Sequence, residues 1–133
     1  MSKIPLSETD QYVLFKEYEE VFLFDKNNNT DLWLASFYGE ADVGWLGLVN
    51  DWAIVGGEKL LIWKNNTAKF IEDPGLTWIH AIRQTGDDEV EILTDPWSEH
   101  PAIWKLNVMT EQREKIRDFN DYKDKAYTGV VIW

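Results

Sequence analysis

The side chains best suited to catalysis or metal binding are the two histidines, His80 and His100. His100 follows Asp95 and Ser98 in one loop-like segment, a grouping that an acid–base pair or a zinc site could use. Zinc sites take three or four protein ligands, and His80 would have to join from another strand without any spacing motif. Ser98 has neither a nucleophile elbow nor an evident oxyanion hole. We therefore predict no catalytic residue, no metal site and no enzymatic activity. The enzyme alternative needs His100 and carboxylates to meet in one pocket.

A second oxygen-rich pattern, Asp25-x-Asn27-x-Asn29-x-Asp31, has the alternating ligand positions of a calcium-binding loop. Thr30 stands where an EF-hand has its turn glycine, and Ser36 stands where it has its bidentate glutamate. Because both groups are missing, we interpret the segment as a solvated loop between two strands, a setting that asparagine favours. The sequence also lacks a phosphate-binding glycine loop and a dinucleotide fingerprint, so no cofactor is expected.

Acidic side chains dominate the charge of the chain. The formal net charge is −11 at pH 7, from 24 acids and 13 bases. Residues 1–58 hold eleven acids and three lysines, whereas residues 59–133 hold thirteen acids and ten bases, so the excess lies in the first half. A field of this sign repels nucleic acid and anionic lipid and attracts basic proteins. The simpler interpretation is that the charge only keeps the protein in solution.

Two clusters of carboxylates are suited to contact lysine or arginine side chains of a partner. One cluster lies within residues 17–20, and the other lies at the tip of a predicted hairpin within residues 87–91. Two further acids and one tryptophan complete the set that we predict to bind a partner: Glu17, Glu19, Glu20, Asp42, Asp51, Asp87, Asp88, Glu89, Glu91 and Trp97.

Small size, strong acidity and many tryptophans and tyrosines together favour a protein-binding module. The leading hypothesis is a cytoplasmic inhibitor or immunity protein that neutralises a basic, toxin-like protein. Attraction between opposite charges can raise association rates to roughly 10⁸–10⁹ M⁻¹s⁻¹ at low salt, which suits an inhibitor. The alternatives are a β module that stacks carbohydrate on exposed rings such as Trp97 and Trp104, and a structural or regulatory interaction domain without catalysis.

The amino-acid usage favours a cytoplasmic location. The chain has no cysteine, as is common in reducing compartments. The first residues lack an apolar core of signal-peptide length, and no apolar stretch approaches the roughly 20 residues that span a bilayer. Basic residues between 113 and 117 are balanced by neighbouring acids, so they form no nucleic-acid patch. We expect neither a membrane nor a nucleic acid as partner.

Short β-type runs alternate with turn residues along most of the chain, which is typical of antiparallel meanders. Asn65-Asn66-Thr67 and Gly56-Gly57 fall between such runs and predict tight turns. Gly44 and Gly47 interrupt another run and indicate a bend, or a ring packed against the backbone. The predicted strands are residues 21–24, 32–38, 43–49, 52–55, 59–63, 68–71, 78–83, 89–93, 102–108 and 129–133.

Two segments admit more than one secondary structure. Thr110 can cap a helix over residues 110–119, in which Ile116 and Phe119 fall three apart. The alternative is a hairpin arm that pairs with residues 104–106. Residues 7–15 fit a short helix capped by Ser7, with a strand as the alternative.

The sequence as a whole predicts a mainly β protein with a single domain over residues 1–133, a usual domain length. We expect one antiparallel sheet of about eight to ten strands, strongly curved into a barrel or sandwich, with one short helix near the C-terminus. The eight tryptophans are suited both to a core and to a binding surface. The predicted core is Phe22, Phe24, Trp33, Phe37, Trp45, Ile54, Leu61, Trp63, Ile79, Ile92, Ile103, Leu106 and Ile116.

Overall fold

A computed structural model describes residues 3–39 and 41–133, and these residues form twelve β-strands and no helix. The strands are β1 (Lys3–Glu8), β2 (Tyr12–Glu17), β3 (Glu20–Asp25), β4 (Thr30–Ser36), β5 (Val43–Leu46), β6 (Trp52–Gly56), β7 (Leu60–Lys64), β8 (Thr67–Ile71), β9 (Ile79–Gln84), β10 (Glu89–Thr94), β11 (Ala102–Asn107) and β12 (Arg113–Asp118). They form three four-stranded antiparallel sheets: the first sheet is β1–β4, the second is β5–β8 and the third is β9–β12. Within each sheet every strand pairs with its neighbour along the chain.

Residues that tolerate a left-handed backbone close several of the hairpins. Asn65 and Asn66 join β7 to β8 with φ values of 51° and 59°, the pair of positive angles that a tight hairpin turn requires. Asn29, with φ 53°, precedes β4 at the end of the asparagine-rich loop. The turns predicted at both places are therefore confirmed.

The mainly β prediction is confirmed, but the single strongly curved sheet is wrong. The three sheets are neither closed nor strongly curled, and the second lies between the other two. The cause is visible in β6 and β7, where side chains on both faces are buried. Val55 and Leu61 pack towards the first sheet, whereas Ile54 and Ile62 pack towards the third. Because a sheet with two apolar faces needs a covering layer on each, the fold consists of stacked sheets.

Buried side chains form three clusters. The first fills the space between the first and second sheets and includes Leu14, Leu23 and Trp63. The second fills the space between the second and third sheets and includes Trp52, Ile79 and Ile92. The third lies on the outer face of the third sheet, where residues after β12 cover it: Leu93, Ile103 and Phe119, with Tyr122, Val131 and Trp133 packed against them.

The predicted C-terminal helix is also wrong, because residues 110–119 form a turn followed by β12. The Asn107 side chain accepts hydrogen bonds from the backbone N–H groups of Met109 and Thr110, and Glu111 adopts a φ of 65°. These features reverse the chain, so that β12 pairs with β11 and Ile116 faces solvent. The hairpin alternative is correct. Residues 7–15, where helix and strand were both possible, belong to β1 and β2 with the turn between them.

The last predicted strand, residues 129–133, has no strand conformation. The ring of Trp133 nevertheless packs on the third sheet, where the Arg83 guanidinium lies 3.9 Å from its centroid. Gly47 confirms the predicted ring contact: a Cβ there would lie 2.7 Å from the Trp52 indole.

Most of the predicted core residues are buried: Phe37, Ile54, Leu61, Trp63, Ile79, Ile92, Ile103 and Leu106. Phe22, Phe24 and Trp45 are half-buried. Trp33 and Ile116 are exposed, so their assignment to the core is wrong. Trp33 lies on the outer face of the first sheet, opposite Phe22 in the β3–β4 pairing, and no further layer of described residues packs there.

A carboxylate bridges the second and third sheets. Glu111, in the β11–β12 turn, lies 2.8 Å from the Nζ atoms of both Lys64 and Lys69. Lys64 also donates a hydrogen bond to the Val108 carbonyl at 3.0 Å. The hydrogen bond from Lys64, followed by that from Lys69, lowers the pKa of Glu111 below its ordinary value of 4.5.

Replacing Glu111 with glutamine is expected to lower the free energy of unfolding at pH 7 by about 1–2 kcal/mol. A lowered folded-state pKa means that the carboxylate stabilises the fold above pH 4.5, and that this contribution is lost as the pH falls through the folded-state pKa. The difference between wild type and Glu111→Gln should therefore shrink in acid, which urea unfolding at pH 7 and pH 3 would measure. Glu72→Gln, at the exposed pair with Lys59, is the control and should change stability by less than about 0.5 kcal/mol. An equal loss at both pH values would contradict the assignment.

Candidate partner-binding surface

The first predicted acidic cluster lies at the turn that joins β2 to β3. Glu17 and Glu20 are directly opposite each other in the β2–β3 pairing. Tyr18, between them, has a φ of 56° and a side chain that is 73% exposed. The tight turn therefore brings together two carboxylates and presents an aromatic ring to solvent.

Residues in and after β4 hold this turn in place. The Trp33 Nε1 donates to Glu20 Oε1 at 3.2 Å, and the Ser36 hydroxyl donates to the other carboxylate oxygen. The Gly39 N–H donates to Glu19 Oε2 at 2.7 Å. Trp33 is 54% exposed, and Tyr38, the neighbour of Gly39, is 90% exposed. We call this group the acidic tip; its members are Glu17, Tyr18, Glu19, Glu20, Trp33 and Tyr38.

An apolar surface adjoins the acidic tip. Because side chains alternate along a strand, Glu17 and Phe15 share a face, as do Glu20 and Phe22. The rings of Phe15 and Phe22 stack on this outer face of the first sheet, with their centroids 5.2 Å apart. A groove of about 370 Å³ continues across it and is lined by Lys3, Pro5, Glu8, Val13, Phe15, Phe24 and Asp31.

The second predicted acidic cluster lies on the third sheet, on the β9–β10 hairpin. Glu91 is paired with Arg83 at 2.6 Å, and Glu89 lies 3.8 Å from Lys105. Asp87 contributes its backbone carbonyl to the Trp52 Nε1, and Asp88 contributes its carbonyl to the Val108 N–H. Two of the four carboxylates in this cluster are thus neutralised within the sheet. The two predicted acidic clusters lie on different sheets and do not form one surface.

The remaining predicted partner-binding residues are dispersed. Asp51 lies in the turn before β6, whereas Asp42 and Trp97 line one cleft beside the start of β9. Trp104 is half-buried and packs over Gly75, so Trp97 and Trp104 do not form a strip of exposed rings. The prediction missed Tyr18 and Tyr38 and assigned Trp33 to the core. The position of Tyr18 in a tight turn between acidic residues could have predicted its exposure.

The segments considered for metal binding or catalysis have local hydrogen-bond partners. Asp25 accepts hydrogen bonds from the Asn27 N–H and the Asn28 side chain, as in a closed loop. Asp95 accepts the Trp97 N–H. Within residues 3–39 and 41–133, no group of three or more His, Asp or Glu side chains is placed to hold a metal ion. The same residues include no helix that could cross a membrane.

Comparison with known proteins does not indicate a function for this chain. The chain matches no model of a known protein family, and no curated protein matches it in sequence.

Proposed function

We propose that the chain is an acidic protein-binding module: a cytoplasmic inhibitor or immunity protein that neutralises a basic, toxin-like protein through the acidic tip. The observation that carries this proposal is the direct opposition of Glu17 and Glu20 across the β2–β3 hairpin, beside exposed aromatic rings. Like charges at such positions destabilise a hairpin. Lys3 lies opposite Glu17 on the other side of β2, and a cationic side chain from a partner would offset the remaining repulsion on binding.

The rings of the acidic tip supply the apolar part of such an interface. Tyrosine and tryptophan are enriched among residues that dominate binding energy, because they bury much area with few rotatable bonds. Tyr18, Trp33 and Tyr38 are more than half exposed, and Trp33 is oriented by its bond to Glu20. The adjoining groove, in which Val13 and Phe24 are half-buried, extends this apolar area.

Long-range charge supports the same partner class. The net charge of −11 gives a field that accelerates encounter with a cationic protein, and salt screens that field. Hydrogen bonds to Glu19 and Glu20 fix their carboxylates before a partner arrives, which limits the entropy lost on binding.

Neutralising the acidic tip tests the proposal. The variant Glu17→Gln/Glu19→Gln/Glu20→Gln should associate about tenfold or more slowly with the purified basic protein encoded by the adjacent gene, and its rate should depend less on salt. Stopped-flow association at several salt concentrations measures both quantities. Glutamine keeps an oxygen that can accept the hydrogen bonds made to Glu19 and Glu20, so the variant should unfold within about 1 kcal/mol of wild type.

A matched variant removes the same charge elsewhere. Glu99→Gln/Glu114→Gln/Asp121→Asn also raises the net charge by three, at exposed positions on or after the third sheet. It should change the association rate no more than about twofold. Equal slowing in both variants would mean that net charge, rather than the acidic tip, governs the encounter. Absence of binding to the adjacent basic protein at low salt would refute the inhibitor function.

A further inference from the structure

A cleft of about 350 Å³ lies beside the start of β9. Its lining consists of Asp42, Trp78, Ile79, His80, Asp95, Trp97 and Tyr127. Small-molecule sites span roughly 300–1,000 Å³ and combine apolar walls with a few polar groups, so this cleft lies at the small end of that range.

Trp78 is held in an unfavourable backbone conformation while its ring faces solvent. Its φ is 53°, a left-handed value that strains the backbone of a bulky residue. Two hydrogen bonds fix the backbone: the Trp78 N–H donates to the Glu58 carbonyl at 3.0 Å, and the Asp95 N–H donates to the Trp78 carbonyl at 2.8 Å. The ring remains 60% exposed. The backbone hydrogen bonds therefore hold an exposed indole at the edge of the cleft.

A hydrogen bond and ring contacts fix the orientation of the Trp97 side chain. Its Nε1 donates to the Lys125 carbonyl at 3.1 Å, and its ring lies 5.0 Å from Tyr127 and 6.1 Å from His80. Tyr127 is itself exposed. Two indoles, one phenol and the His80 imidazole thus line the cleft, and the segment after β12 contributes the phenol.

The charge of the cleft favours a cation. Asp95 contributes a carboxylate, and no lysine or arginine from the described part of the chain is in the lining. Asp95 Oδ1 accepts the Trp97 N–H at 2.9 Å, which holds the carboxylate next to the ring. Aromatic faces attract ammonium groups, most strongly where water is displaced, and neighbouring carboxylates add to that attraction.

We propose that this cleft binds a small organic cation through a quaternary ammonium group, held against the rings of Trp78, Trp97 and Tyr127 and neutralised by Asp95. Such groups keep their charge at every pH, expose methyl groups to the rings and cannot hydrogen-bond, which fits walls made of aromatic faces. None of the residues that line the cleft belongs to the acidic tip, and binding requires no protein partner.

Choline tests the proposal against 3,3-dimethylbutan-1-ol, its uncharged isostere. Titrating each into the full chain should shift the indole N–H signals of Trp78 and Trp97 in NMR spectra for choline, at a concentration about tenfold lower than for the isostere. Equal affinity for the two compounds, or no shift up to about 0.1 M choline, would overturn the proposal. A neutral disaccharide that shifts these indoles where choline does not would also overturn it and would favour carbohydrate stacking.

Two variants locate the site. Asp95→Asn keeps an oxygen that can accept the Trp97 N–H but removes the charge, and Tyr127→Ala removes one exposed ring; each should weaken choline binding about fivefold or more. Asp51→Asn and Tyr38→Ala are the matched controls outside the cleft and should leave it unchanged. Equal weakening in a variant and its control would contradict the assignment to this cleft. Since the acidic-tip variant should bind choline normally, failure of this site and failure of the proposed inhibitor function are distinguishable.

Discussion

Replacing Trp52 with alanine is expected to lower the free energy of unfolding by about 3–5 kcal/mol, among the largest effects of any single substitution in this chain. Trp52 is fully buried between the second and third sheets, and its indole packs against the Gly47 backbone. Its Nε1 donates to the Asp87 carbonyl at 3.2 Å. Alanine would leave a cavity between two sheets and remove the donor for that carbonyl.

Urea unfolding followed by circular dichroism measures this loss. The matched control is Trp33→Ala, the same substitution at an exposed ring, which should cost about 1 kcal/mol or less. Trp52→Phe should fall between the two, because it keeps one ring and loses the hydrogen bond. Similar losses for Trp52→Ala and Trp33→Ala would contradict the stacked arrangement of the second and third sheets.

Replacing Phe119 with alanine is expected to cost about 3–5 kcal/mol and to release the segment after β12 from the third sheet. Phe119 is fully buried with Leu93 and Ile103, and its ring stacks on Tyr122 at 5.9 Å. Its N–H donates to the Pro101 carbonyl at 2.8 Å, a bond that alanine retains. The loss should therefore come from the side chain alone.

Limited trypsin digestion measures the release of this segment. Cleavage at Lys123 and Lys125 should be faster in Phe119→Ala than in wild type, under conditions where both remain folded. Ile132→Ala, at an exposed position of the same segment, should cleave at the wild-type rate. If Phe119→Ala also cleaves at that rate, Phe119 does not anchor the segment.

The hairpins were predictable because their turns are encoded locally. Asparagine tolerates the left-handed backbone, so Asn65 and Asn66 between two apolar runs predict the β7–β8 turn without tertiary information. The error at residues 110–119 has a local cause as well. Thr110 is a plausible helix cap, but the turn depends on the Asn107 side chain, three residues earlier, accepting two backbone N–H groups.

The division into three sheets was harder to predict, because it depends on contacts between distant segments. Continuous apolar runs in β6 and β7 indicate burial on both faces, but such runs do not identify the covering layer. At Gly56 the structure identifies that layer. A Cβ there would lie 2.5 Å from Ile79, so the third sheet packs directly on this backbone.

The candidate surface was predictable in its charge but not in its aromatic component. Glu17, Glu19 and Glu20 are adjacent in sequence, so their clustering needs no tertiary information. Trp33 looked like a core residue because a large ring within an apolar run is usually buried. Its exposure follows from the β3–β4 pairing, which puts it opposite Phe22 on the outer face of the first sheet.

The position of the second sheet between two others also determines how the protein unfolds. Water reaches the peptide groups at the centre of β6 and β7 only after an outer layer has separated or the whole chain has opened. Separating either outer sheet exposes a whole apolar face of the second sheet to water. Partial unfolding of this kind therefore has a high free energy. Local opening of the folded protein should therefore be confined to loop tips and to the segment that follows β12.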